Sequence, residues 1–264
     1  MMSQILRLSD ESAVRALVAG QGEPLLLLHG VGMRAEAWGP QIDDLSAGYQ
    51  VIAVDLPGHG QSDPLPSGAR LPDYVNWAIA VLCALNVGPV NLAGHSMGAL
   101  IAAGVAVERP DLVRRVALLN AVHRRSESER AAVLARAAEI ARGERNAEAP
   151  LSRWFGDSHP EIRARVAAWL HDVSQPGYAA AYRAFAEGDA TYADRLGAIA
   201  CPALMLTGDG DANSSAAMSM AMAAEVRLGQ AVVIAGHRHM VNLTAPTVVS
   251  DALRQWLKRE EVKT

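Results

Sequence analysis

The sequence predicts an α/β fold in which a mostly parallel, eight-stranded sheet carries helices on both faces and accepts one helical insertion. Three observations predict it. Short apolar runs alternate with stretches of helical length across most of the chain, and such alternation calls for a parallel sheet covered on both sides. A serine, then aspartates, then histidines follow successive apolar runs, each just past the carboxyl end of a strand, where open parallel sheets converge on one crevice. Residues 121–198 break the alternation and read as amphipathic helices alone.

Taken in order, strands are expected near 4–8 and 13–18, the pair forming an antiparallel edge. Pro24 to Leu28 is a short buried strand, 25–29, running into the turn His29-Gly30-Val31-Gly32-Met33. A helix over 36–47 and a strand over 51–55 follow, then a Pro-Gly turn from Asp55 to Ser62. Next come a helix over 72–86, a strand over 90–94, a helix over 97–108 and a strand over 115–119. The insertion's helices are divided at Pro150, Pro160 and Pro176-Gly177. The remaining elements are strands over 203–207 and 231–235 and helices over 214–226 and 246–259. The expected units are a core, 1–120 with 199–264, and the insertion, 121–198.

At 264 residues the chain is long enough for a large core. A formal charge of -4 and a pI near 6.1 give no general attraction to nucleic acid or membrane surfaces. Met1 to Ser12 has no secretory apolar region, and no run approaches the roughly eighteen apolar residues of a membrane span. Cys83 and Cys201 have neither metal spacing nor a disulfide framework. The expected compartment is the cytoplasm, and the expected partner a small molecule, with a homodimer open. Basic residues are Arg except for Lys258 and Lys263, so a single arginine carries little weight as a signal.

Gly94-His95-Ser96-Met97-Gly98 matches G-x-S-x-G between a strand and a helix, the context of a nucleophile elbow. The glycines are needed because the serine takes a strained backbone, and side chains two positions away would collide with neighbouring elements. The glycine loop after the 25–29 strand can turn backbone N–H groups toward a developing oxyanion, with the amides of Val31 and Met97 as donors. His29 is expected to hydrogen-bond locally. Two further strands deliver Asp209 and Asp211, and His237 and His239, onto loops. Asp55 to Ser62 holds Asp, His and Ser together, but reads as a structural turn beside the pocket.

Together these motifs resemble the α/β-hydrolase superfamily, in its small lipase and esterase-like branch. The resemblance covers the chain outside 121–198 and rests on His29-Gly30, Asp55 to Ser62, the elbow, Gly208 to Asp211, and His239 with Pro246. It implies a triad of Ser96, Asp211 and His239. The acid falls three residues after Gly208, with Asp209 as the alternative, and the histidine seven before Pro246. His237 fails that count and is read as a loop or pocket-wall residue. Thr244, where relatives often carry Glu, is expected to cap the final helix. The insertion corresponds to a helical cap.

The insertion holds seven of the twelve aromatics, which suggests an apolar roof over a pocket. Candidate substrate-binding residues are Arg34, His95, Trp154, Tyr178 and Tyr182, with Arg34 or a cap arginine as anchor for any carboxylate. The resemblance implies hydrolysis of an ester, lactone or thioester through an acyl-enzyme, without metal or organic cofactor. Amide or carbon–carbon hydrolysis is the alternative. Met240 stands where carbon–carbon hydrolases often have Trp, and Ser96 argues against epoxide and haloalkane hydrolases, whose nucleophile is aspartate. The glycine loop also lacks the proline common in proline aminopeptidases. A non-enzymatic ligand receptor on the same fold is a further alternative, and the completeness of the triad speaks against it.

Overall fold

The computed structural model describes residues 1–144 and 146–260. β1 (Met2–Arg7) and β2 (Ala13–Ala19) pair antiparallel, forming the expected edge. β3 (Glu23–Leu28) leads through a 3-10 turn at Ala35–Trp38 into α1 (Gly39–Leu45) and β4 (Tyr49–Val54). The single helix expected over 36–47 is therefore divided. Pro40 lies in the first turn of α1, where its ring would clash with a preceding helical carbonyl if the turn before it continued as α-helix.

α2 (Leu71–Leu85), β5 (Val90–His95), α3 (Met97–Glu108) and β6 (Val113–Leu119) complete the first half of the core. Four helices follow: α4 (Glu127–Ala141), α5 (Glu148–Phe155), α6 (Pro160–Asp172) and α7 (Gln175–Gly188). β7 (Ala203–Gly208), α8 (Ala216–Glu225), β8 (Gly229–Ile234), the short α9 (Val241–Thr244) and α10 (Pro246–Leu257) close the chain. The sheet order is β1-β2-β4-β3-β5-β6-β7-β8, and every pairing from β4 to β8 is parallel.

The apolar runs of the central strands are continuous because both sheet faces are covered. Successive side chains alternate. Leu26 and Leu28 of β3 pack with Val75 and Ile101 of α2 and α3, while Leu25 and Leu27 pack with Trp38, Ile42 and Trp256 on the other face. α3 is apolar all round and almost wholly buried, as befits the helix behind the centre of the sheet.

The helical layer has its own stop and start signals. Ser126 and Glu129 form a capping box at the head of α4, and Ser174 caps α7. Pro160 and Pro176 stand in the first turns of α6 and α7, but Pro150, expected to divide helices, lies inside the first turn of α5, where a missing N–H costs nothing. The layer meets the core in one place without any intervening side chain. A Cβ on Gly177 would lie 2.1 Å from the Gly58 carbonyl oxygen, and one on Gly58 would lie 2.6 Å from the Gly177 Cα.

Candidate active site

β5 ends at His95, and Ser96 takes φ 54° and ψ -114° before α3 begins at Met97. Such a backbone costs on the order of 1–3 kcal/mol and persists only where its surroundings over-determine it. Here the Ser96 N–H donates to the Leu119 carbonyl at 2.8 Å, and the flanking glycines leave no alternative. A Cβ on Gly94 would sit 2.0 Å from the Gly98 oxygen, and one on Gly98 would sit 2.2 Å from the Leu28 oxygen.

Parallel register brings the other loops to the serine. Leu28 pairs with Gly94, so the glycine loop emerges beside the elbow, and a Cβ on Gly30 would lie 3.2 Å from Ser96 Cβ. The loop is held from beneath by the Asp55–Ser62 turn. His59 Nε2 accepts the Gly32 N–H at 2.9 Å, Asp55 Oδ1 accepts the Ala35 N–H at 2.8 Å, and His29 Nε2 accepts the Leu56 N–H at 2.9 Å. Burial lowers the pKa of both histidines, so the acceptor nitrogens stay unprotonated. The turn is structural, as its sequence suggested, and what it supports is the loop bearing Val31.

β7 and β8 deliver the remaining groups. His239 Nδ1 donates to Asp211 Oδ2 at 2.8 Å, with both side chains buried. That bond assigns the proton to Nδ1 and leaves Nε2 as the basic nitrogen. Asp211 also receives Asn120 Nδ2 at 2.8 Å, the Asn213 N–H at 2.8 Å and the Ser214 N–H at 3.2 Å. Burial alone would raise the Asp211 pKa. The adjoining His239 imidazole and the hydrogen bonds from His239, Asn120 and Asn213 outweigh it and hold the carboxyl below its usual range. Asp209 instead accepts the Gly236 N–H at 2.8 Å and clips the two loops together.

Above these groups lies a cavity of about 310 Å³, at the lower end of small-molecule sites. Ser96, Val31 and His239 line it from the core, and Trp154, Tyr178 and Tyr182 from the helical layer. Trp154 stacks on His239, with ring centroids 5.6 Å apart and planes 25° apart. Tyr178, Tyr182 and Phe185 form an edge-to-face series. The lining holds three arginines and the carboxylate of Glu129; Arg136 pairs with Glu139 at 2.9 Å and Arg125 stands 3.3 Å from Asp189, while Arg153 meets Asn213 at 3.2 Å.

Two expected substrate contacts are corrected. Arg34 turns to Glu36 at 3.0 Å and does not line the cavity, because a nearby carboxylate on its own turn offers a partner. His95 is buried beneath the site, where Nε2 meets the His239 carbonyl at 2.8 Å; burial and the neighbouring His239 lower its pKa to about 3. It braces the histidine loop. Thr244 does not cap the final helix. Its hydroxyl meets His237 Nδ1 at 2.9 Å, and His237 stacks on His159 of the helical layer. Sequence reasoning missed Asn120 and Arg125. Asn120 stands just past the end of β6, a position that marks it in the same way as the residues beyond β5, β7 and β8. Arg125 is hidden by the arginine-rich composition.

Among the described residues, no group of three or more His, Cys, Asp or Glu side chains is arranged to hold a metal, and no helix is long and apolar enough to cross a membrane.

A strained serine at the end of a central parallel strand shares one cavity with the histidine of a buried Asp–His pair, an arrangement of the α/β-hydrolase type. The chain belongs to the alpha/beta hydrolase family, whose model matches residues 25–252. It is 53% identical over 260 residues to the (E)-2-((N-methylformamido)methylene)succinate hydrolase of Acinetobacter baylyi, covering 98% of this chain and 99% of that one. A malate-bound esterase from Thermogutta terrifontis superposes with a TM-score of 0.88 at 26% identity, over 98% of each chain. An enol-lactonase from Burkholderia xenovorans has the same fold, with a TM-score of 0.88 at 21% identity over 97% of this chain and 100% of its own.

Proposed function

We propose that this protein is a serine hydrolase that cleaves the carbonyl–nitrogen bond of a small dicarboxylate-bearing amide, the compound class named for its Acinetobacter relative. One observation supports this above the rest: Ser96 and His239 share a small cavity with three arginines and one glutamate. An apolar ester would offer no charged partner to Arg153, which meets the neutral side chain of Asn213.

In this reading Ser96 Oγ attacks the amide carbonyl carbon while His239 Nε2 takes its proton. Asp211 keeps the His239 tautomer and stabilises the imidazolium, and the Val31 and Met97 amides receive the oxyanion. The carbon–nitrogen bond then breaks as His239 returns the proton to the leaving nitrogen. Water, deprotonated by His239, attacks the acyl-enzyme, and Ser96 Oγ leaves with the proton as the carboxylic acid is released. The relative's compound suits this machinery because its nitrogen is bonded to a carbon–carbon double bond. Conjugation with the attached carboxylate spreads the leaving electron pair, so the amide reacts more like an ester. Residues 121–198 act as a cap that completes the cavity and excludes water.

A second reading, hydrolysis of an ester or lactone with the same groups, draws on the 26%-identical Thermogutta esterase. The deciding experiment supplies purified protein with (E)-2-((N-methylformamido)methylene)succinate and follows formate release and loss of the conjugated chromophore. p-Nitrophenyl butyrate and simple lactones serve as comparators. We expect the amide's kcat/KM to exceed theirs at least about a hundredfold, a difference of roughly 2.7 kcal/mol in transition-state binding. Better turnover of the ester or lactone would overturn the amide reading in favour of the second.

A further inference from the structure

Arg153, on α5, reaches across the seam between the helical layer and the core. Its Nη1 donates to Asn213 Oδ1 at 3.2 Å, and both residues line the cavity that holds Ser96. That is the one hydrogen bond its side chain makes among the described residues, and no described carboxylate pairs with it. The guanidinium stands near the Tyr182 wall of the chamber. Burial raises the Tyr182 phenol, and of the three arginines that partly offset this, Arg153 acts most strongly. A guanidinium bound only to a neutral amide keeps most of its capacity for a carboxylate, which it can grip with two parallel N–H bonds.

The other charges on the cavity wall are already engaged. Arg136 pairs with Glu139 at 2.9 Å and donates to the Asn146 carbonyl at 2.8 Å. Arg125, its side chain only 3% exposed, packs over Phe185 and stands 3.3 Å from Asp189. Glu129 accepts the Ser126 N–H and hydroxyl, each at 2.8 Å, in the capping box of α4. Asn213 is fixed from its other side, because its backbone N–H donates to Asp211 Oδ1 at 2.8 Å. With Oδ1 taken by Arg153, the Nδ2 hydrogens of Asn213 are further donors at the same spot.

We propose that Arg153 and Asn213 form a clasp for one carboxylate of the substrate, closing across the seam between roof and floor, and that this clasp makes the enzyme select carboxylates over their neutral esters. The inference rests on the dicarboxylate reading above and names the residues that enforce it. Arg153 is exposed, so a ligand in the chamber reaches it. What the ligand displaces or shares is a single contact with a neutral amide, so little is given up on binding. Asn213 is half-buried, and either side chain can be replaced without opening the core.

The test is calorimetric titration of methylenesuccinate, its two monomethyl esters and its dimethyl ester into Ser96→Ala protein, which cannot turn them over, and into the same protein carrying Arg153→Gln, Arg153→Lys or Asn213→Ala. The dianion should bind at least about ten times more tightly than the diester. Arg153→Gln should weaken the dianion by about ten- to a hundredfold, the range of hydrogen bonds to a charged group, and leave the diester within about threefold. Arg153→Lys, charged but without the fork, should fall between, and Asn213→Ala should cost the dianion about threefold. The clasp holds one carboxylate, so one monoester should show the full Arg153 dependence and its isomer almost none. Equal losses for both monoesters would mean that Arg153 acts only as a distant charge, and parallel loss of all four ligands would mean a structural role. Either outcome overturns the inference, as does undiminished dianion binding or no binding of methylenesuccinate at all. Turnover of the formamido compound is read separately, with Ser96 intact. Turnover that ignores Arg153→Gln ends this inference alone, and Arg153-dependent binding without turnover ends the amide reading alone.

Discussion

The carboxyl edge of the sheet and the helical layer above it meet at one cavity but are built on opposite terms. At the edge the Asp211 carboxylate and the loop amides are spoken for, while Asn120 Oδ1 is buried without a hydrogen-bond partner among the described residues. Asp211 receives four donors, from His239, Asn120, Asn213 and Ser214, and the glycine loop is tied to His59 and Asp55. The layer presents aromatic faces and Arg153, whose partner is the neutral side chain of Asn213. The hydrogen bonds to Asp211 and to the glycine loop fix geometry at the edge. Substitutions on the two sides should fail in different ways.

The largest effect should come from the edge. Ser96→Ala should lower kcat by about 10⁴-fold or more with folding intact, as measured by turnover and circular dichroism. Activity near that of the parent in a clean preparation would remove the serine from the chemistry. Next, Asp211→Asn should cost on the order of 10⁴-fold in kcat because the His239 tautomer is no longer enforced, whereas Asp209→Asn should cost less than about tenfold. The reverse order would mean that the loop clip and the histidine partner exchange roles in solution.

Trp154 brings the two regions together at the histidine, since its indole covers the His239 ring. Trp154→Leu should lower kcat/KM by about tenfold, and Trp154→Phe should restore much of it, a stacked aromatic face on a nascent imidazolium being worth roughly 0.5–2 kcal/mol. Equal losses in both variants would show that size, and not the π face, is what matters.

A smaller effect is read in stability. His95 has a pKa of about 3 in the fold against 6.5 as its reference value. Between those values the unfolded chain binds a proton that the folded one refuses. The stability His95 contributes is therefore complete above pH 6.5 and lost progressively as pH falls toward 3, with a slope of up to about 1.4 kcal/mol per pH unit. His95→Gln retains a donor for the His239 carbonyl without that titration, so its urea-derived stability should fall less steeply across the same window. An unchanged slope would locate the acid sensitivity elsewhere, with His29 and His59, both also lowered by burial, as the next residues to replace. Smallest of all, Arg34→Ala should leave KM within about twofold, since Arg34 answers to Glu36 outside the cavity.

Legibility in the sequence divides along the same line. The eight strands stand within two residues of their expected positions at every end, because the central parallel strands read as plain apolar runs bounded by turns. Ser96, Asp211 and His239 each lie beyond a strand, and the family resemblance picks them out by its elbow motif and by their distance from Gly208 and Pro246. Trp154, Tyr178 and Tyr182 were named from aromatic density, and all three line the cavity. Arg34 and His95 do not line the cavity, because adjacency in sequence to a functional residue says nothing about which way a side chain turns. Arg34 found a carboxylate two residues away, and His95 points beneath the serine. Arg125 could not be singled out, since only the fold reveals that a guanidinium between two elements is buried with one nitrogen unoccupied.

The contact between Gly58 and Gly177 has a consequence for how this chamber could change. Main chain abuts main chain there, so no side chain acts as an adjustable shim between roof and floor. Trimming or enlarging a residue elsewhere cannot easily raise the roof, because its height is gauged by two backbones in contact. A new substrate size must be accommodated by exchanging the furniture, Trp154, Tyr178, Tyr182 and Phe185, inside a frame of constant dimensions. Any Cβ introduced at either glycine would shift the whole register of α7, and with it Phe185 and the carbonyls that steady Arg125.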